Sequence, residues 1–226
     1  MRNRRWVVIP AAGRGERFGG SLPKQYAKLG GRTVIEHTLA CFAGVPGLAG
    51  IVVPLAADDK IFGKLTLPNL PVHTTIGGAT RAQSVLAALE WLQNGPAADQ
   101  DWVLVHDAAR PLLARADLDA LIAECEQNDV GGLLGVPVAD TLKRSSGGQV
   151  HGTMRRDDVW HAMTPQMFKL GPLERALRAA GPEATDEAMA MEMAGVAPAM
   201  VRGSTDNLKI TTVGDLLVAD AILAAR

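Results

Sequence analysis

The feature of this sequence that most narrows its fold is a repeated exchange between short, continuous apolar runs and segments of helical periodicity. Residues 5–10 form the first apolar run, and 50–55, Val72–Ile76, 102–106 and 132–138 continue the series. Runs of this kind, apolar throughout, belong to strands covered on both faces. Between them Val34, Ile35, Thr38, Leu39 and Phe42 recur at helical spacing within 33–43, behind a Thr33 cap with Glu36 three residues later. Helices also read over Arg81–Gln93 and 117–127, then over 171–180, 185–194 and from Val213 to the C-terminus. Short strands are expected at 198–202 and 208–211. Strand-then-helix order predicts an α/β fold, with a mostly parallel twisted sheet and helices on both faces. No repeat or composition break divides 1–226, so one domain is expected. The stretch 139–157 departs from the pattern: Lys143, Arg144, Ser145, Ser146, Gly147 and Gly148 carry little apolar periodicity and predict a hairpin protruding from the core.

Composition removes several functional classes. With 226 residues, 47% apolar, the chain can bury a full core, and its formal charge of -1 gives no broad field for nucleic acid or an anionic membrane. Any anion site must be local. The apolar run 6–12 is too short to span a bilayer, and no targeting segment is read. Cys41 and Cys125 each sit in an apolar helical pattern, which suits small core side chains in a reducing, cytoplasmic setting.

The first strand runs into Pro10-Ala11-Ala12-Gly13-Arg14-Gly15-Glu16-Arg17. Open α/β sheets bind ligands at that carboxyl edge. Glycines let backbone N–H groups close on phosphate oxygens, and the small alanines leave room for a nucleotide against the strand end. Arg17 and Lys24 can surround a triphosphate as guanidinium fork and point charge. The same residues also read as a plain glycine-rich turn with solvated cations. Phe18 stands where the dinucleotide fingerprint needs its third glycine, and no Walker motif occurs, so NAD binding and P-loop ATPase activity are unsupported.

Three further segments carry chemistry. The strand at 102–106 ends in His106-Asp107-Ala108-Ala109-Arg110-Pro111, where the Asp107 carboxylate could hold Mg²⁺ or cap the next turn with Arg110 as its partner. Gly77-Gly78-Ala79-Thr80-Arg81-Ala82-Gln83-Ser84 leads from strand to helix, so its N–H groups could recognise a base or phosphate. Thr185-Asp186-Glu187-Ala188 reads as a helix N-cap, and Asp206-Asn207-Leu208-Lys209 as the start of a short strand.

Taken in order, these segments resemble the 2-C-methyl-D-erythritol 4-phosphate cytidylyltransferases. The resemblance rests on Pro10 to Arg17 with Pro23-Lys24-Gln25, on Gly77 to Ser84, on His106 to Pro111, and on later matches running to Lys209. It implies a Rossmann-like nucleotidyltransferase fold and transfer of CMP from CTP onto methylerythritol phosphate, in isoprenoid precursor biosynthesis. Arg17 and Lys24 become the catalytic cations. Pro10, Ala11, Ala12, Gly13, Gly15, Gly78, Ala79, Ser84 and Ala108 become nucleotide contacts, although many members carry an acid at the position of Ala79. Asp107, Arg110, Thr185 and Lys209 are assigned to the acceptor. Thr141 and Arg156 are assigned to a neighbour's acceptor pocket, reached through a 139–157 arm that builds a homodimer. Mg²⁺ or another divalent cation is implied, on Asp107 and more weakly on Asp206. A ribitol-phosphate cytidylyltransferase, or a silent nucleotide-binding subunit, remains the alternative. The chain ends soon after its last helix, so no fused cyclodiphosphate synthase domain is expected.

Overall fold

The computed structural model describes residues 4–13, 15, 18 and 22–226. In chain order the elements are β1 (Arg5–Val8), β2 (Lys28–Leu29), β3 (Arg32–Thr33), α1 (Val34–Ala40), β4 (Leu48–Leu55), β5 (Val72–Ile76), α2 (Arg81–Gln93) and β6 (Trp102–Val105). They continue as α3 (Arg115–Asn128), β7 (Gly132–Pro137), β8 (Leu142–Ser146), β9 (Gln149–Met154), β10 (Trp160–Lys169), α4 (Leu170–Ala180), α5 (Glu187–Met193), β11 (Ala199–Arg202) and α6 (Val213–Ala224).

One seven-stranded sheet, ordered β11-β7-β10-β6-β1-β4-β5, organises the molecule. Every pairing is parallel except those of β10, which runs antiparallel to both β6 and β7. Alternation along the strands separates two cores. Val7 and Ile9 face one side with Ile35 and Leu39 of α1 and Leu118 and Leu121 of α3. Trp6 and Val8 face the other with Val85 and Leu89 of α2 and Leu173 and Leu177 of α4. Burying one such side chain contributes about 1.5–3 kcal/mol, so each helix is fixed mainly by its apolar face. Helix starts agree with this placement. Thr33 and Glu36 form the capping box the sequence predicts for α1, and Thr80 with Gln83 forms a second at α2.

Four sequence expectations are corrected. The segment Trp160–Lys169, unassigned from the sequence, is the longest strand. Pro165 argues against a central strand, but here it falls at a register shift between Ala162 and Gln166, where ladder pairing is interrupted. Residues 208–211 form no strand; Ile210 donates to the Ala109 carbonyl at 2.9 Å, a single tie to the turn after β6 rather than a ladder. The cap of α5 is Asp186, whose side chain accepts from Met189 N, so Thr185 lies outside the helix. Helix α3 starts at Arg115 rather than 117.

The 139–157 stretch forms the hairpin β8–β9, turning through Gly147 and Gly148, both at positive φ. Every residue of β9 is exposed.

Candidate active site

The carboxyl ends of β1, β5 and β6 open at one edge of the sheet, and the loops leaving them enclose a cavity of about 310 Å³. Because β10 runs the other way, its early residues Thr164 and Gln166 arrive at this same edge, beside the end of β6.

Backbone close approach shapes the nucleotide-sized cavity. A Cβ on Gly77 would stand 2.6 Å from Ala12 Cβ, and one on Gly78 would stand 2.4 Å from Gln83 Cβ. Glycine is therefore required where β5 turns into α2 against the β1 loop. Ser84, buried in the first turns of α2, accepts from Gly78 N at 3.1 Å and donates to Thr80 O at 2.9 Å, pinning that loop. Gln25, also buried, donates from Nε2 to the carbonyls of Ala11 (2.9 Å) and Gly13 (3.2 Å), so a side chain beyond the loop holds its entry.

Charge concentrates at Asp107. Its Oδ1 accepts from Arg81 Nε at 3.0 Å, while Oδ2 lies 2.8 Å from Lys209 Nζ and 3.5 Å from Arg110 Nε. Burial alone pushes the carboxyl upward, but Arg81, then Lys209 and Arg110, outweigh it and hold Asp107 well below the usual carboxylate range. Arg81 in turn grips Glu187 bidentately, at 2.7 and 3.0 Å.

His106 is wholly buried, and burial first of all lowers its pKa to about 4. Its Nε2 lies 3.0 Å from the Arg110 carbonyl and its Nδ1 3.1 Å from Thr164 Oγ1. That oxygen also accepts from Asp107 N at 3.0 Å. A neutral ring protonated on Nε2, with Thr164 donating to Nδ1, satisfies the whole set and fixes the 106–110 turn. Neither nitrogen is left for a substrate proton.

The expected site residues divide by place. Pro10, Ala11, Ala12, Gly13, Gly15, Lys24, Gly78, Ala79, Ser84 and Ala108 line the 310 Å³ cavity, with Asp107 and Lys209. Lys24 Nζ also donates to Ile210 O at 2.9 Å. Arg110 and Thr185 line an adjoining cavity of about 180 Å³ that shares Arg81, Asp107 and Lys209 with the first. Thr141 and Arg156, exposed at the base of the hairpin, and Asp206 line neither cavity. Arg17 lies outside the described residues.

Sequence reasoning gave no role to Gln25, Arg81, Thr164 or Glu187. Gln25, Arg81 and Glu187 stand within quoted motifs and Thr164 in none, but only tertiary contacts reveal their partners. In the sequence Glu187 reads as an ordinary first-turn acid of a helix, and only its burial in the fold sets it apart.

The metal expectation fits this arrangement poorly. Among the described residues no group of three or more His, Cys, Asp or Glu could hold a metal ion. Both oxygens of Asp107 are engaged by cations, one of which a divalent ion would have to displace. Asp206 instead faces Arg226 at 3.5 Å. What these side chains do fit is an anion.

The family profile described as IspD, 2-C-methyl-D-erythritol 4-phosphate cytidylyltransferase, matches residues 6–225. The 2-C-methyl-D-erythritol 4-phosphate cytidylyltransferase of Ectopseudomonas mendocina is 52% identical over 221 residues, covering 96% of this chain and 94% of that one. A crystal structure of 4-diphosphocytidyl-2C-methyl-D-erythritol synthase superposes with a TM-score of 0.87 at 38% identity, over 99% of this chain and 100% of the other. The Thermus thermophilus 2-C-methyl-D-erythritol 4-phosphate cytidylyltransferase does so with a TM-score of 0.80 at 32% identity, over 96% and 98%.

Proposed function

Because the chain belongs to the 2-C-methyl-D-erythritol 4-phosphate cytidylyltransferase family, we propose that it transfers CMP from CTP to 2-C-methyl-D-erythritol 4-phosphate. The products are 4-diphosphocytidyl-2-C-methyl-D-erythritol and pyrophosphate, in isoprenoid precursor biosynthesis. The observation that carries this reading is the pair of adjoining cavities whose common wall is Arg81, Asp107 and Lys209. Two anionic substrates can meet there across a cationic partition.

The acceptor's phosphate monoester is already an anion near neutral pH, so attack on the α-phosphorus needs no general base. That suits a site whose one histidine is buried with both nitrogens occupied. Positioning and charge neutralisation supply the catalysis. Lys24, facing the nucleotide cavity, and Arg17, seven residues before it in the sequence, neutralise charge building on the α-phosphate as pyrophosphate leaves toward Gly13 and Gly15. The cytosine is read by the backbone of the Gly78 and Ala79 turn, which makes the missing acid at Ala79 tolerable. Mg²⁺, if it arrives with the nucleotide, would supply further neutralisation of phosphate charge beside Lys24.

Asp107, Arg110, Thr185 and Lys209 receive the acceptor. Every residue of β9 is exposed, and a two-stranded ribbon alone is marginal in water, which supports a homodimer through 139–157. Thr141 and Arg156 then complete the partner's acceptor cavity. No helix among the described residues is long and apolar enough to cross a membrane. The two free cysteines support a cytoplasmic location.

The test is pyrophosphate release with Mg²⁺, each of the four NTPs, and methylerythritol phosphate or ribitol phosphate as acceptor. Release confined to CTP with methylerythritol phosphate is expected. Equal release with ribitol phosphate, or with UTP, would overturn the substrate assignment.

A further inference from the structure

Glu187 is wholly buried at the start of α5 and lines neither cavity, yet it binds both terminal nitrogens of Arg81. Arg81, the first residue of α2, spends its remaining Nε on Asp107. The chain of contacts thus runs from the helix that closes the nucleotide loop, through the shared wall, to the helix that follows Thr185. A buried carboxylate without a partner is strongly unfavourable, so Glu187 effectively fixes where the guanidinium sits. The fork leaves Arg81 a single orientation in which Nε meets Oδ1.

We infer that Arg81 and Glu187 form a positioning pair for the reaction, holding the Asp107 carboxylate in the wall between the two substrates. The inference rests on the acceptor cavity assigned above. In this arrangement Arg81 occupies Oδ1, while Lys209 and Arg110 on Oδ2 face the second cavity. Acceptor affinity and alignment depend on the pair. Nucleotide affinity depends less on Glu187, which lines neither cavity, while Ser84 holds the Gly78 backbone of the nucleotide loop in place.

The groups facing the Asp107 carboxylate are Arg81 from α2, Lys209 from the segment before α6, and Arg110 and His106 from its own turn; Asp186 lies across the second cavity and Glu187 acts through Arg81. Arg81 leads the influences that lower the Asp107 pKa.

The experiment uses the full chain with Glu187→Gln, which keeps the shape and loses the charge, and Arg81→Lys, which keeps the charge and loses the fork. Kinetics are read on whichever phosphate acceptor the wild type turns over, so that a wrong acceptor assignment shows in the wild type and not in the variants. Both variants should melt near wild type and lose about 10²-fold in kcat/KM for the acceptor, as a roughly 1 Å misplacement does; Glu187→Gln, whose side chain lines neither cavity, should also keep KM for CTP within about twofold. Folded variants with unchanged acceptor kinetics, or a loss confined to KM for CTP, would overturn the inference. Failure of both variants to fold would do so too, by making the pair a structural brace.

Discussion

Acidification from about pH 8 to about pH 5 should destabilise this protein by about 2 kcal/mol through His106 alone. An unfolded histidine titrates near 6.5, whereas burial holds His106 at about 4 in the fold. Between those values the unfolded chain binds a proton that the folded chain refuses, so stability rises with pH across that window. At about pH 5 the unfolded ring is nearly all protonated and the folded ring nearly all neutral, which leaves about 1.5 of the 2.5 units of difference expressed. At about 1.4 kcal/mol per unit this gives the 2 kcal/mol above. For a chain of this size it corresponds to a fall in Tm of about 4–8 °C. Thermal melts of wild type and His106→Gln at both pH values isolate the effect, because glutamine can still donate to the Arg110 carbonyl but cannot titrate. The variant should start less stable, having lost the Thr164 bond and the edge contact with Phe42, but show a smaller pH-dependent drop. Parallel pH dependence in the two proteins would refute a neutral buried ring and with it the tautomer that orders the 106–110 turn.

Lys24→Ala should lower turnover by about 10²–10³ in a chain that still folds, since the lost group faces developing charge; near wild-type turnover in the folded variant would contradict its role. Gln25→Ala removes both bonds to the β1 loop and should cost about 1–3 kcal/mol in urea unfolding, with a raised KM for CTP. Mixing Lys24→Ala and Arg156→Ala chains, then allowing subunits to exchange, should restore about a quarter of wild-type activity, because half the dimers would carry one intact site. No recovery on mixing would place Arg156 outside its partner's site.

The α/β architecture was legible because buried parallel strands announce themselves as continuous apolar runs. The hairpin was legible because its glycines and charges break that pattern. Strand β10 escaped, since Pro165 sits in a stretch that mixes His161, Thr164 and Gln166 with apolar residues, and its place was created by a pause in the ladder that no local signal predicts. The wall around Asp107 was half legible. Strand-end placement drew attention to Asp107 and Arg110, but the approach of Arg81 and Lys209, distant in sequence, makes Asp107 the centre of an ion-pair network that no local pattern announces. The same distance hid Glu187, which reads locally as an ordinary first-turn acid.

The position of β10 between β6 and β7 has a consequence for synthesis. A chain emerging N-terminus first presents β6 with β1 on one side and an empty edge on the other. β7 follows with no neighbour until 160–169 and then 199–202 appear. At about 5–20 residues per second those edges stay unpaired for some seconds, and unpaired hydrophobic edges recruit other strands. The polar hairpin is translated within that interval, between the two halves of the gap. Nascent chains truncated before residue 160 should therefore be aggregation-prone, and solubility should return once β10 can close the sheet.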